Sequence, residues 1–288
     1  MSVRATPRRS GARLGLTAAA TALLATGCGG RDAYESAFGL GFPKPVTDQA
    51  QEIYDLWLGS VAAAAVVGLA VWALIFYAVV RFRKTSDDLP RQIRYNLPVE
   101  VLYTVVPFVI IAVLFYYTVV AQNRVNDLSD ETAGGKPDVT VNVVGFKWNW
   151  MFQHVDAGVQ VVGEIEQPAV LVLPTDRTVR FVETSPDVIH SFFVPAFLFK
   201  RDVIPGRANT FEVKITKPGE YIGRCAELCG EKHSRMTFYV KAVPPAEYDA
   251  YVAGLKADPA NALDDNPAVT GAVRPVVAGT PHPEEEKK

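Results

Sequence analysis

Two long apolar runs stand out in the first half of the chain. Leu58–Val80 contains no charged residue, and a helix of this length would measure about 34 Å, enough to cross a bilayer. Val101–Ala121 is a second charge-free run, with Pro107 near its start. A buried core helix would explain either run alone. Two such runs so close together predict a two-helix transmembrane hairpin over residues 56–122.

The loop between the two runs is basic. Short cytoplasmic loops collect Lys and Arg, so we expect this loop to lie inside the cell. The segments before the first run and after the second run would then lie outside the cytoplasm. The loop contains Arg81, Arg83, Lys84, Arg91 and Arg94 against Asp87 and Asp88.

Residues 1–27 have the pattern of a lipoprotein-type signal peptide. Four arginines precede or border the apolar run Leu14–Leu24, which is too short to span a membrane. Small residues then lead to Cys28, as in bacterial lipoprotein cleavage sites, although Ala25 stands where such sites usually have Leu. We expect the mature chain to start at an acylated Cys28, followed by an extracytoplasmic segment over residues 28–55. Cleavage nearby, with a free Cys28 thiol, is the alternative.

The pattern changes to short strands after a polar linker at residues 123–138. Val139–Val143 alternates apolar and polar residues with period two. Further strand-like segments, separated by Pro and Gly turns, predict an all-β Greek-key sandwich over residues 139–241. Residues 242–288 should form one short helix, at 246–256, and a disordered tail rich in Pro, Ala and charge. The further strand-like segments are Ala169–Leu173, Val179–Val182, Phe211–Ile215 and Tyr221–Arg224.

The run Cys225–Met236 contains most of the soft metal donors in the chain. The whole sequence has three Cys, three Met and four His, and this loop contains Cys225, Cys229, His233 and Met236. Thiolate and thioether donors favour copper, and imidazole suits copper as well. The loop therefore predicts a copper site.

The residue types alone leave other interpretations of this loop open. Cys225 and Cys229 would form a disulfide in an oxidising compartment. A zinc site with two Cys and two His usually has closer Cys spacing and does not use Met. A mononuclear blue-copper site needs one Cys, two His and an axial Met, and this loop has one thiolate more. The extra thiolate favours two copper ions that share two sulfurs, with His190, in a strand-like apolar run, as the second imidazole.

Three segments of the chain resemble a known family: Asp187–Val194, Asp202–Arg207 and the loop Cys225–Met236. Together they resemble subunit II of the haem–copper cytochrome c oxidases, and the resemblance extends from Leu56 to Lys241. Proteins of that family hold a binuclear copper centre, CuA, in a cupredoxin domain. The resemblance therefore implies a transmembrane hairpin followed by an all-β cupredoxin domain at residues 139–241.

The resemblance implies a role for each donor side chain. Cys225 and Cys229 would bridge the two copper ions. His190 and His233 would each bind one copper ion, and Met236 would be a weak ligand to one of them.

Glu227 would contribute twice, according to the same resemblance. Its backbone carbonyl would bind the other copper ion, and its side chain would reach a magnesium or manganese ion at the boundary with subunit I. Ala226 stands where many relatives have Ser, but that residue is not a ligand in the family.

Trp148 and Glu100 match two further functional residues of the family. Trp148 would lie near the copper and receive the electron from cytochrome c. Because Trp150 follows two residues later, we expect both indoles on one face of a strand, with core packing as the alternative role. Glu100 would lie at the mouth of a proton pathway shared with subunit I. A simple helix cap is the alternative for Glu100, and Tyr103 replaces the commoner Trp beside it.

The resemblance predicts subunit II of a respiratory cytochrome c oxidase, in a bacterial cell membrane, with its copper domain on the extracytoplasmic face. It would accept electrons from cytochrome c at CuA and pass them to haem in subunit I, where oxygen is reduced and protons are pumped. The expected partners are subunit I, other oxidase subunits, cytochrome c and the lipid bilayer, and no nucleic acid. Residues 138–241 carry twelve acidic and twelve basic residues, a balance that favours a membrane-tethered donor over a charge-steered one.

Three rival functions fit the sequence less well. A quinol oxidase subunit II keeps the hairpin and the sandwich but loses the copper ligands. A nitrous oxide reductase has its CuA domain after a large propeller domain, which this sequence lacks. A copper-delivery lipoprotein would have no need of the hairpin or of Glu100. The sequence also contains no Cys-x-x-Cys-His motif, so no haem c is attached to this chain.

Overall fold

Two long helices come first in the described part of the protein. The structure is a computed structural model, and it describes residues 39–89, 92–129 and 135–263. Helix α1 covers Asp48–Arg81 and helix α2 covers Leu97–Asn126. Both helices are long and apolar enough to cross a membrane, judged by length and composition.

Both helices extend beyond the charge-free runs that predicted them. Helix α1 begins at Asp48 because Thr47 caps it, with Oγ1 of Thr47 accepting a hydrogen bond from the backbone N–H of Ala50 at 2.9 Å. Helix α2 continues to Asn126, past the end of the predicted span at residue 122. A charge-free run indicates which part of a helix could lie within the hydrocarbon core of a bilayer. It does not indicate where the helix begins or ends, which depends on capping interactions.

A β-sandwich follows the helices, as the sequence predicts. Within the described residues, ten strands form two five-stranded sheets, in the orders β3-β2-β1-β5-β8 and β4-β10-β9-β6-β7. The pairs β1–β5 and β4–β10 are parallel, and the other neighbouring strands are antiparallel. The strands are β1 Val139–Phe146, β2 Asn149–His154, β3 Val159–Val162, β4 Val170–Pro174, β5 Thr178–Thr184, β6 His190–Val194, β7 Phe199–Val203, β8 Asn209–Lys214, β9 Gly219–Cys225 and β10 Thr237–Val243.

Aromatic side chains fill the space between the two sheets. Phe192 on β6 stacks on Phe238 of β10 with ring centroids 4.8 Å apart, and Phe181 stacks on Phe211 at 5.0 Å. Trp150 is fully buried among these rings. Burying such large side chains contributes to the hydrophobic stabilisation of the sandwich.

The segments that flank the membrane helices are fixed to the sandwich. Before α1, the backbone N–H of Thr216 donates to the carbonyl of Val46 at 2.8 Å, and Thr47 forms a β-bridge with Ile215. After α2, the N–H and Oγ of Ser129 both donate to the Glu212 carboxylate, at 3.0 and 2.7 Å. At least this part of the predicted linker is therefore held in place.

The C-terminal segment contains more structure than the sequence indicates. Helix α3 covers Pro245–Lys256, close to the predicted 246–256. Pro259–Asn261 then forms a 3₁₀ turn, capped by Asp258, within the predicted disordered tail. The rest of that tail, from residue 264, lies outside the described residues.

Candidate metal centre

The soft-donor loop joins two neighbouring strands of one sheet. Strand β9 ends at Cys225, and β10 begins directly after Met236. The backbone N–H of Cys225 donates to the carbonyl of Met236 at 3.0 Å, which closes the loop at its base. His190 begins β6, the strand next to β9, and is fully buried.

These elements bring the five predicted side-chain donors together. The Cys225 and Cys229 sulfurs are buried and lie 3.8 Å apart. Each has its own imidazole nearby, with His190 Nδ1 at 3.9 Å from Cys225 Sγ and His233 Nδ1 at 3.6 Å from Cys229 Sγ. Met236 Sδ lies 3.8 Å from Cys229 Sγ. One backbone oxygen joins the group, because the Glu227 carbonyl is 3.2 Å from Cys225 Sγ.

This geometry fits a metal ion and does not match a disulfide. A disulfide requires its sulfurs at about 2.05 Å, far closer than the observed 3.8 Å. A separation of 3.8 Å is shorter than two metal–thiolate bonds of about 2.3 Å each, so both sulfurs can bind the same ion. The ligand atoms of His190, Cys225 and Cys229 all lie within 4.8 Å of one another. The additional thioether favours a soft metal over zinc.

The two thiols differ in how readily they ionise. Burial acts to raise the pKa of Cys225, but hydrogen bonds from His190 and from nearby groups outweigh it and lower that pKa to about 7. Burial raises the pKa of Cys229, and the negative charge of Cys225 raises it further. One thiolate thus forms near neutral pH, whereas the second needs a nearby cation. A metal ion between the sulfurs supplies that charge.

Asp187 orients one of the imidazoles, a role that the sequence interpretation missed. Its Oδ1 lies 2.9 Å from His190 Nε2, so the other ring nitrogen, Nδ1, faces Cys225. Its Oδ2 accepts a hydrogen bond from the backbone N–H of Lys147 at 2.7 Å. Carboxylates that fix the tautomer of a ligating His are a regular feature of metal sites. The sequence feature that could have indicated this role is the position of Asp187, an acidic residue three positions before the candidate ligand His190.

Trp148 lies in a turn rather than on a strand, which corrects one expectation. Strand β1 ends at Phe146 and β2 begins at Asn149, so Trp148 and Trp150 do not share a strand face. The indole N–H of Trp148 donates to the Cys229 carbonyl at 3.2 Å. Trp150 is fully buried, and its ring centroid is 6.2 Å from that of His190.

Two glycines make room for this arrangement. A Cβ on Gly145 would lie 3.3 Å from the His190 side chain, tighter than normal packing allows. A Cβ on Gly230 would lie 3.1 Å from the Trp148 indole nitrogen, and Gly230 has φ +122°, which other residues rarely adopt.

The remaining predicted residues lie elsewhere or outside the described part. Glu100 is in the first turn of α2, where its Oε1 accepts a hydrogen bond from the backbone N–H of Asn96 at 3.0 Å. This contact matches the helix-cap alternative. The side chain of Glu227 is half-buried. Cys28 and the signal-peptide segment lie outside the described residues.

Fold and site together define the class of protein. Two apolar helices, long enough to cross a membrane, precede a β-sandwich that can hold a metal in a loop of soft donors.

Comparison with known proteins then gives the family. The family description "Cytochrome C oxidase subunit II, periplasmic domain" matches residues 160–243, and "Cytochrome C oxidase subunit II, transmembrane domain" matches residues 35–119. "Probable cytochrome c oxidase subunit 2" of Streptomyces avermitilis is 42% identical over 280 residues, covering 83% of this chain and 85% of the relative. "Cytochrome c oxidase subunit 2" of Mycobacterium tuberculosis is 34% identical over 339 residues, covering 96% and 90%. The chain therefore belongs to the cytochrome c oxidase subunit II family, whose members are subunits of an oxidoreductase complex.

Solved structures are also among the proteins similar to this chain. One of them is the crystal structure of the periplasmic domain of subunit II of cytochrome oxidase (CoxB) of Bradyrhizobium japonicum, which is 32% identical to this chain. The match covers 42% of this chain and 96% of that one, with a TM-score of 0.40.

Proposed function

We propose that this chain accepts single electrons from cytochrome c at a binuclear CuA centre and passes them to haem in subunit I. One observation carries the proposal. Two buried thiols lie 3.8 Å apart, and each has a different imidazole nitrogen within 3.9 Å. Such a set suits two bridged ions, because a single ion would leave one of these donors unused in a four-ligand soft site with an axial Met.

The donor roles that the family resemblance implies are compatible with this arrangement. Cys225, Cys229, His190 and His233 would hold the copper pair. Met236 and the Glu227 carbonyl are the weak ligands, each next to a different sulfur. When bound, the copper pair supplies a one-electron acceptor whose charge is shared over two ions and two sulfurs.

The protein around the donors orients and shields them. Asp187 holds the His190 ring with Nδ1 towards the sulfurs. The fully buried Trp150 and Met236 keep water away from the interior side of the centre. Limiting the movement of the ligands favours electron transfer, because little rearrangement is then needed when the charge changes.

Trp148 is the proposed point of electron acceptance from cytochrome c. It is partly exposed, and its indole hydrogen bond to the Cys229 carbonyl links it directly to the backbone of a bridging ligand. Leu228 is 79% exposed in the same loop and offers an apolar contact to a docked donor. We propose a membrane-tethered donor, because acidic and basic residues are balanced in the sandwich.

Further roles complete the proposal. The Glu227 side chain contributes to a magnesium or manganese site shared with subunit I. Glu100 lies at the mouth of a proton pathway in addition to capping α2.

Cys28 carries a lipid after removal of residues 1–27, and the copper domain faces the extracytoplasmic side of a bacterial cell membrane. Mass spectrometry of the mature N-terminal peptide tests the lipid, and an unmodified Cys28 would refute it.

Copper stoichiometry and electron paramagnetic resonance of the purified full-length chain test the central proposal. We expect two copper ions per chain and one unpaired electron shared equally between them. Replacement of Cys28 by Ala is the matched control and should leave the signal unchanged. A single copper ion with a four-line hyperfine pattern would overturn the binuclear assignment.

A further inference from the structure

Glu183 is an acidic residue in the interior of the sandwich. It lies on β5 after Val179 and Phe181, two residues of the hydrophobic core that face the same side of the strand. The Glu183 side chain is 0% exposed. An ionised carboxylate in such a place is very unfavourable unless other groups compensate its charge.

Hydrogen bonds do not compensate it. Neither Glu183 oxygen has a hydrogen-bond partner among the residues that the structure describes. Glu212, on the neighbouring strand β8, shows the contrast, because it is also buried but pairs with Arg180 at 2.7 Å and with Ser129. One buried acid of the sandwich thus has a cationic partner and hydrogen bonds, and among the described residues Glu183 has neither.

Two charged residues interact electrostatically with Glu183, and both belong to β7. Arg201 favours the ionised carboxylate, and Asp202 opposes it. One nitrogen of the Arg201 guanidinium donates to Asn126 Oδ1 at 2.6 Å, at the end of α2, and among the described residues no Arg201 nitrogen is hydrogen-bonded to Glu183. The other adjacent strands add no charge, because Val143 on β1 and Asn209 on β8 are the residues paired with Glu183. Burial dominates this balance and raises the pKa of Glu183 well above its usual value.

Strand register places Glu183 near the candidate metal centre. Glu183 pairs with Val143 on β1, and Gly145 lies two residues further along the same face. A Cβ on Gly145 would touch the His190 side chain. Two residues of strand measure about 7 Å, so Glu183 lies roughly that far along the strand from the level of His190. Glu183 is thus separated from the centre by protein interior rather than by water, and charges interact over longer distances there than in solvent.

We propose that Glu183 is a proton-binding site behind the candidate copper centre, which holds a proton in the copper-free protein and takes up or releases it as the charge of the centre changes. A bound cation favours the carboxylate, so copper loading promotes release of the proton to solvent. One-electron reduction by an added donor removes one positive charge from the centre. A proton from bulk water then binds the carboxylate, forming one O–H bond and restoring the neutral acid.

The first experiment tests the proton-binding site without any metal. Infrared spectroscopy of the copper-free full-length chain at neutral pH should show the C=O band of a protonated carboxyl, shifted in heavy water. The band should disappear in Glu183→Gln and persist in Glu212→Gln, the matched buried acid that has an Arg partner. Absence of the band in the wild-type protein would overturn the proposal, whether or not the variants fold. A wild-type band that survives in a folded Glu183→Gln protein would overturn it equally.

The second experiment tests the link to the centre, and this link rests on the proposed CuA function. In the copper-loaded chain, the reduction potential should fall as pH rises, and the carboxyl band should gain intensity on reduction. Both effects should be lost in Glu183→Gln. A potential and a band that do not respond to pH or to reduction would overturn the link. Failure to load copper would instead contradict the proposed function, while the copper-free measurement would still decide whether Glu183 holds a proton.

Discussion

Two buried histidines, one at each end of the sandwich, show what separates a candidate ligand from a packed residue. His190 is 0% exposed and His154 is 1% exposed. His190 has a carboxylate at one ring nitrogen and a thiol at the other. Among the described residues, the hydrogen-bond partner of His154 is the Tyr248 hydroxyl, at 3.1 Å from Nδ1. Burial is therefore the same for both, and the chemical nature of the partners differs.

The difference in partners appears in the proton affinity of the two rings. Burial alone acts on His154 and lowers its pKa to about 4. Burial acts in the same direction on His190, but Cys225 and Asp187 outweigh it and raise the pKa of that ring. A carboxylate partner and a thiolate partner are the features of a ring prepared for a cation, and His154 lacks both.

The largest expected effect comes from removing a bridging sulfur. Cys229→Ser should abolish the binuclear centre or convert it to a mononuclear one, because a hydroxyl is a poor ligand for copper. Copper content and electron paramagnetic resonance give the result. His154→Gln, which changes the other buried ring, is the matched control and should still bind two copper ions. An unchanged binuclear signal in Cys229→Ser would contradict the proposal that Cys229 bridges the two copper ions.

Weakening the partner of His190 should have the next largest effect. Asp187→Asn keeps the side-chain size but removes the charge that orients the ring, and such changes typically lower metal affinity about 10–100-fold. Competition with a copper chelator measures the affinity. Asp249→Asn is the control, because Asp249 pairs with Arg177 at the surface. If both variants bind copper as tightly as the wild type, Asp187 has no orienting role.

Trp148→Phe should change a rate and leave the copper centre intact. It removes the indole hydrogen bond to the Cys229 carbonyl but no ligand. Stopped-flow reduction by the cytochrome donor should slow, while the copper absorption spectrum stays the same. We expect little dependence on ionic strength if the donor is tethered, and a steep loss of rate with added salt would indicate a soluble, charge-steered donor. An unchanged rate would make Trp148 a packing residue.

The smallest effect concerns His154 and appears only in acid. Its pKa is lower in the folded protein than in the unfolded chain, so the unfolded state binds more protons and stability falls as pH drops. The loss should occur between about pH 6.5 and pH 4 and amount to roughly 2–3 kcal/mol. Thermal unfolding of the copper-free chain as a function of pH measures it. His154→Gln should show a shallower decline over this range, and an equally steep decline would assign the acid sensitivity to other groups.

The candidate metal ligands could be predicted from the sequence because their side chains belong to residue types that are rare in this chain. Soft donors are scarce, so their concentration at residues 225–236 could be recognised without a structure. A strand was expected at Trp150, but the bounds of β2 were not predicted, because all six of its residues are buried and no alternation with period two marks where it begins and ends. Strand β7 was missed because it contains Lys200, Arg201 and Asp202 in a row.

Other features depend on contacts that a linear pattern does not contain. The parallel pairing of β1 with β5 brings together residues about forty positions apart, and only this pairing places Glu183 near Gly145. The partners of Asp187 likewise come from two different strands or turns. Trp148 was expected on a strand because its neighbours alternate, whereas the chain reverses direction at that residue.

The attachment of Val46 and Thr47 to the sandwich has a consequence for protein engineering. Val46 is 6% exposed and belongs to the hydrophobic core, yet it precedes both membrane helices in sequence. A soluble fragment that starts at residue 138 would therefore lack part of its own core and would expose Ile215, which is fully buried in the complete chain. Fusing residues 43–50 to such a fragment through a flexible linker would restore that cover. The periplasmic domain is thus continuous in space but assembled from two separate stretches of sequence.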